Sequence, residues 1–126
     1  MTIFQSDRRN GLPEIYLDKK ESVFNISGSS FPEDSIDFYK PVFQWLKDFE
    51  VNPNSKLDVN ITLDYFNTSS SKIFQHFIDI FNKLGKSGVV VTLDWNYYDD
   101  DENIYEAGVG YAENANFNFR MIEKNI

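Results

Sequence analysis

The sequence contains no cysteine, a single histidine and no apolar run long enough to cross a membrane. Without cysteine the chain has no disulfides, no thiol nucleophile and none of the thiolate ligands of the commonest structural zinc sites. The amino-terminal residues lack the apolar stretch that follows the charges of a secretory signal. We therefore expect a cytoplasmic protein with no metal or organic cofactor.

Positive charge is also scarce, since 12 Lys and Arg stand against 20 Asp and Glu, a net charge of −8. Such a surface repels phosphate backbones and anionic lipid, which argues against nucleic acid and membranes as partners. A protein partner with a basic groove fits better, although acidity also serves solubility alone. With 126 residues, 41% of them hydrophobic, the chain is expected to form one domain with a core of its own, residues 1–126.

Hydrophobic periodicity predicts the order strand, strand, helix, strand, helix, strand, helix, strand. Residues 14–18 and 23–27 have the pattern of a hairpin, and the first helix follows a cap at Asp34 or Ser35. Pro41 lies within that helix, so we expect a kink or a break between Ile36 and Val42. The fold class predicted is α/β in the mixed α+β sense, a mixed β-sheet with helices packed on it.

The centre of the chain has the pattern of a strand-helix-strand unit. Residues 57–63 alternate as a strand, residues 69–84 form an amphipathic helix that ends at Gly85 or Gly88, and residues 89–95 form the next strand. Such units are nearly always right-handed crossovers that join parallel strands. We expect the strand at 89–95 to be central and, at its start, buried on both faces.

Several features that resemble catalytic or ligand sites have plainer interpretations. His76, the only candidate base for a Ser-His-Asp relay, lies on the polar side of its helix and is interpreted as a surface residue. The acidic run at residues 99–102 has the composition of a helix first turn, where acids favour the helix dipole, and its spacing is not that of a calcium loop. Gly108 and Gly110 lie within a helical pattern, which indicates close packing or fraying and not a phosphate-binding loop.

Residues 67–71, Asn-Thr-Ser-Ser-Ser, stand where the strand at 57–63 passes into the helix at 69–84. A helix N-terminus carries free backbone N–H groups and a partial positive charge, so a hydroxyl there is well placed to receive and display a phosphate. Plain capping explains the same residue types, because Asn, Ser and Thr are common N-cap residues. The residues themselves leave both interpretations open.

Three blocks occur in order along the chain: residues 28–34 (GSSFPED), 64–70 (DYFNTSS) and 95–102 (WNYYDDDE), the last followed by residues 106–108 (EAG). Together they resemble the SiaC family of bacterial regulatory phosphoproteins, over a match from about Gly11 to Glu123. The resemblance implies a STAS-like domain similar to anti-sigma-factor antagonists, and a switch that is not an enzyme. It further implies a protein Ser/Thr kinase and an opposing PP2C-type phosphatase as partners. Pro41, Gly108 and Gly110 depart from the family's pattern.

The resemblance places the family's phosphoacceptor threonine on Thr68. In the family's best-known setting the unmodified form binds and activates a diguanylate cyclase, which links it to c-di-GMP signalling and biofilm formation. We expect the effector protein to dock on the strand-end surface around Thr68. The residues of that surface are Asp64, Tyr65, Phe66, Asn67, Ser69 and Ser70.

A phosphate adds a charge of about −1.5 to −2 and three acceptor oxygens. On an acidic surface beside Asp64 it is expected to repel a docked partner without refolding the domain. Two alternatives stay open: a small hydrolase with a Thr or Ser nucleophile, and a constitutive dimer formed through Tyr97 and Tyr98. The sequence argues against the hydrolase, because it offers no plausible base, no metal-ligand cluster and no Gly-rich oxyanion loop.

Overall fold

The computed structural model describes residues 3–6, 11–49 and 55–125. These residues form six strands and three helices. In chain order they are β1 (Ile3–Ser6), β2 (Glu14–Asp18), β3 (Val23–Ser30), α1 (Ser35–Lys47), β4 (Lys56–Phe66), α2 (Thr68–Lys86), β5 (Val90–Tyr98), α3 (Glu102–Asn114) and β6 (Asn118–Lys124). The predicted fold class and element order are confirmed, and β1 adds one strand ahead of the predicted hairpin.

The strands form one sheet in the order β1-β2-β3-β4-β5-β6. The pairs β1–β2 and β2–β3 are antiparallel, whereas β3 through β6 run parallel. The predicted parallel pairing in the centre is confirmed, with Leu57 opposite Val91 and Ile61 opposite Trp95. The three connections from β3 to β6 step in the same direction, and because such crossovers are nearly always right-handed, all three helices are expected on one face of the sheet.

Burial along the strands agrees with helices on one face only. In β4 the residues Leu57, Val59, Ile61 and Leu63 are at most 2% exposed, and the residues between them point to the open face. Val90 is 62% exposed although Val89 and Val91 are buried. The expectation that this strand starts buried on both faces was therefore wrong, because the three described helices all lie on one face and leave Val90 on the other uncovered.

Pro41 lies in the middle of α1, and the helix continues through it, so the expected break is absent. A proline at this position removes the hydrogen bond to the carbonyl of Asp37. Both residues are exposed, so water can satisfy that carbonyl. Packing of the opposite side, where Tyr39 and Val42 are fully buried, holds the helix together.

The carboxyl ends of β3, β4 and β5 meet at one edge of the sheet, here called the carboxyl edge. Each strand leads there into a helix capped by an Asp or Asn side chain, namely Asp34, Asn67 and Asp101. Within the described residues, five of the six exposed large hydrophobic side chains lie in this region, and only Val90 lies elsewhere. The five are Phe31, Ile36, Tyr65, Tyr98 and Tyr105. Exposed apolar groups gathered in this way are typical of a protein-binding surface.

Candidate functional site

Asn67 is the N-cap of α2. Its backbone is extended and its Oδ1 accepts a hydrogen bond from the Ser70 amide at 2.9 Å. Its own amide donates to the carbonyl of Ser30 at 3.1 Å, which joins the cap to the end of β3. Capping therefore accounts for Asn67 but not for Thr68, which is the first residue of the helix.

Thr68 is exposed, and its hydroxyl forms no hydrogen bond with any other described residue. The first turn of α2 contains no acidic residue. Negative charge at this end of a helix interacts favourably with the helix dipole and the free amides. The position is therefore both accessible to an enzyme and electrostatically suited to a phosphate.

The next two hydroxyls are engaged in contacts. The Oγ of Ser69 lies 2.6 Å from the Oγ of Ser35 and donates to Asn67 Oδ1 at 3.2 Å. The side chain of Ser70, expected on the partner surface, is instead fully buried, with its Oγ 2.9 Å from that of Ser30. Of the three neighbouring hydroxyls, only that of Thr68 is both exposed and without a partner among the described residues.

The buried hydroxyls hold the first turn of α2 in place. Ser30 Oγ also lies 2.6 Å from the hydroxyl of Tyr39, and burial raises the pKa of that tyrosine above its ordinary range. On the other side, Tyr111 donates to the carbonyl of Ser71 at 2.8 Å, and burial raises its pKa as well. Strand β3 and helices α1 and α3 thus all contact this turn through hydrogen bonds.

The remaining residues expected on the partner surface differ in exposure. Asp64 is exposed and Tyr65 is 55% exposed, whereas Phe66 is half-buried and packs on Phe74 and Trp95 at ring distances of 5.8 and 6.4 Å. Sequence reasoning assigned no role to Phe31, which lies edge-to-face with Tyr65 at 5.6 Å and is 40% exposed. Its only sequence signal was its place in the first of the three blocks.

A groove of about 450 Å³ opens beside Ser69, between the first turn of α1 and the first half of α2. Its lining residues are Glu33, Asp34, Ser35, Ile36, Ser69, Lys72, Ile73 and His76. The His76 ring packs against the edge of Phe43 at 6.0 Å, is exposed and forms no hydrogen bond with a hydroxyl of the described residues. Its exposure agrees with the interpretation of His76 as a surface residue.

The acidic run at residues 99–102 leads into α3 but does not fill its first turn as expected, because residues 99 and 100 form a turn before the helix. Asp101 caps that helix by accepting from the Ile104 amide at 3.1 Å, and Glu102 lies in the first turn. Among the residues placed by the structure, no three His, Cys, Asp or Glu side chains are grouped as metal ligands. None of the described helices combines the length and apolar character that a membrane crossing requires.

Gly108 lies at a point of close packing, which is one of the two interpretations of the glycine pattern. A Cβ on this residue would overlap the indole of Trp95 and the terminal methyl of Met121. Gly110, two residues later, has no neighbouring atom within 4 Å of such a Cβ. Only the first glycine is therefore required for α3 to pack on β5 and β6.

Known proteins resemble this chain in both sequence and fold. The family model described as SiaC family regulatory phosphoprotein matches residues 6–124. An uncharacterized protein of Pseudomonas aeruginosa strain UCBPP-PA14 is 28% identical over 109 residues, which is 86% of either chain. The crystal structure of apo-SiaC from Pseudomonas aeruginosa has a TM-score of 0.87 and 26% identity, covering 97% of this chain and 99% of that one.

A further match is a chain in the crystal structure of the Pseudomonas aeruginosa diguanylate cyclase SiaD in complex with its activator SiaC. It has a TM-score of 0.89 and 25% identity, covering 96% of this chain and 99% of that one. The family match spans all three blocks identified in the sequence, and the fold agrees over the same length. The chain therefore belongs to the SiaC family of regulatory phosphoproteins.

Proposed function

We propose that this protein is a phosphorylation-controlled binding module, with no enzymatic activity of its own, in which Thr68 is the phosphoacceptor. A protein Ser/Thr kinase adds the phosphate, a PP2C-type phosphatase removes it, and the unmodified form binds the effector. The observation that carries the proposal is that the three neighbouring hydroxyls differ in exposure and in hydrogen bonding. That of Thr68 is exposed, that of Ser69 is bonded to Ser35, and that of Ser70 is enclosed.

We further propose that the effector is a diguanylate cyclase, so that the output is c-di-GMP synthesis. The support is the solved complex in which a structural neighbour is described as the activator of the diguanylate cyclase SiaD. A kinase that draws on cellular ATP places the cycle in the cytoplasm. The exposed apolar residues of the carboxyl edge supply the surface on which such an effector would dock.

The switch follows from the cost of dehydrating a phosphate. In the unmodified form, a partner that packs on Tyr65 and Phe31 covers a neutral threonine between exposed apolar groups. A phosphate on Thr68 adds about two negative charges beside Asp64, and burying such a group without a paired cation is strongly unfavourable. The partner is released while Asn67 and Ser70 keep the turn in place.

Mass spectrometry after incubation with the cognate kinase tests the phosphoacceptor. We expect one phosphate on the wild-type protein, located on Thr68, none on Thr68→Ala, and one on Ser69→Ala. The Ser69 variant is the matched control, because it removes the neighbouring exposed hydroxyl and keeps the threonine. Phosphate on Ser69 with Thr68 unmodified would move the site, and no phosphate on the wild-type protein would refute the switch.

Isothermal titration with a purified diguanylate cyclase tests the effector. Thr68→Ala should bind as the wild-type protein does, because the alanine stays uncharged. Thr68→Asp should bind more weakly, by less than a true phosphate does, since one carboxylate carries about half the charge. Equal affinity of the wild-type protein and a form with phosphothreonine at position 68 would contradict release by phosphate.

A further inference from the structure

The groove between α1 and α2 combines an exposed apolar group with a buried apolar floor. Ile36, on the α1 side, is 76% exposed, the highest value among the large hydrophobic side chains described. Ile73, on the α2 side, is 7% exposed and forms part of the same lining. Removing the Ile36 side chain from water on binding is favourable, so the groove suits an apolar side chain.

The two walls of the groove carry opposite charges. The carboxylates of Glu33 and Asp34 line the α1 side, and the ammonium group of Lys72 lines the α2 side. Lys72 forms no ion pair with the described residues. A segment that fits this arrangement has an apolar side chain between a basic residue, facing Glu33, and an acidic residue, facing Lys72.

Lys72 also lies on the same face of α2 as Thr68, one turn further along. Side chains four residues apart on a helix are neighbours, and their Cα–Cβ bonds tilt toward the N-terminus. The long side chain of Lys72 therefore leans over the turn that contains Thr68. Its ammonium group can reach a phosphate on that residue, and an ammonium paired with a phosphate is less available to a partner.

We infer that this groove receives an apolar side chain of the effector whose acidic neighbour pairs with Lys72, and that a phosphate on Thr68 competes for the same lysine. The inference rests on the proposed function and extends it with a second contact region, the groove that continues from the carboxyl edge between α1 and α2. Phosphorylation then weakens binding in two ways. The phosphate occupies Lys72, with which the partner's acidic residue would pair, and it repels that acidic residue.

Titration of the full-length protein with purified SiaD from Pseudomonas aeruginosa tests the groove. Ile36→Asp and Lys72→Glu should each weaken binding by about tenfold or more, the range of a central contact. Val90→Asp is the control for the first, because Val90 is 62% exposed at the opposite end of the sheet. Lys83→Glu is the control for Lys72→Glu, because Lys83 is an exposed lysine near the other end of α2. The affinity of both control variants should stay within about twofold of the wild type.

The form with phosphothreonine at position 68 belongs in the same titration and separates the two proposals. Weaker binding of that form alone, with Ile36→Asp and Lys72→Glu unchanged, would leave the switch standing and overturn the groove. Weaker binding of the two groove variants alone would support the groove as a contact surface and overturn both the release by phosphate and the competition for Lys72. Equal losses in Val90→Asp, or no binding of SiaD to the wild-type protein, would overturn the groove as the effector site.

Phosphorus NMR of the phosphothreonine form tests the competition for Lys72 without any partner. A paired ammonium lowers the second pKa of a phosphate. That pKa should therefore rise in Lys72→Gln and stay unchanged in Lys83→Gln. An identical pKa in both variants and in the parent would overturn the pairing between Lys72 and the phosphate.

Discussion

The hydroxyl of Ser70 lies 2.9 Å from the hydroxyl of Ser30, although 40 residues separate them in the chain. Both side chains are fully enclosed, and Ser30 also contacts the hydroxyl of Tyr39 at 2.6 Å. This buried polar cluster joins the first turn of α2 to the end of β3. The position of Thr68 at the carboxyl edge depends on it.

Replacing Ser70 by alanine should lower the free energy of unfolding by about 1 kcal/mol or somewhat more, because a buried hydrogen-bonding partner is lost. Chemical denaturation measures the change. Ser87→Ala, on the exposed residue that caps the other end of α2, should shift it by less than about 0.5 kcal/mol. Equal effects of the two substitutions would contradict the structural role of the buried cluster.

Substitutions of Asn67 and Thr68 should have different effects, the first on stability and the second on phosphorylation. Asn67→Ala removes the N-cap and should cost about 1 kcal/mol of stability while Thr68 is still phosphorylated. Thr68→Ala removes the phosphoacceptor but no capping bond, so its stability should stay within about 0.5 kcal/mol of the wild type. Denaturation and kinase assays on both variants check this, and a Thr68→Ala variant destabilised as much as Asn67→Ala would refute it.

The two glycines of α3 provide a matched pair. Gly108→Ala places a methyl group against Trp95 and Met121 and should destabilise the protein by about 1–3 kcal/mol, the usual cost of overpacking. Gly110→Ala has open space and should stabilise it by up to about 1 kcal/mol, since alanine favours the helix. Thermal denaturation of both variants tests the opposite signs, and two changes of the same sign would contradict the packing described.

The stability of the fold should fall at alkaline pH partly through Tyr39. Burial raises the pKa of this residue in the folded protein, so above about pH 10 the unfolded chain loses the proton first and unfolding becomes easier. Tyr39→Phe has no proton to lose there, although it should be about 1 kcal/mol less stable at neutral pH for want of the hydroxyl contact. The difference in unfolding free energy between the two proteins should therefore shrink as pH rises from about 8 to about 11. A constant difference over that range would contradict the prediction.

Much of the fold could be predicted because its signals are local. Alternation in β4 and the period of α2 follow from which side of each element is buried, and the parallel pairing follows from the helix that connects the two strands. Of the kink or break expected at Pro41, the break does not occur, because the rule for proline is also local. It does not include the packing of Tyr39 and Val42, which stabilises the opposite side of the helix.

The candidate site was predictable to the level of a short segment. Residues 67–70 could be recognised as a helix start rich in hydroxyls, and the family resemblance selected Thr68. Pattern alone did not separate the buried Ser70 from the exposed Ser69, because both have the same side chain and adjacent positions. Their difference arises from Ser30 and Ser35, which belong to other elements.

The sequence by itself determined the local chemistry of this protein: the strand that ends at Phe66, the capping Asn67 and the row of hydroxyls after it. Capping and periodicity depend on residues within a few positions of each other, so they can be read along the chain. Only the tertiary structure decided which hydroxyl is exposed and that Ile36 and Lys72 line one groove. Exposure depends on side chains that are distant in sequence and are brought together by the order of the strands in the sheet.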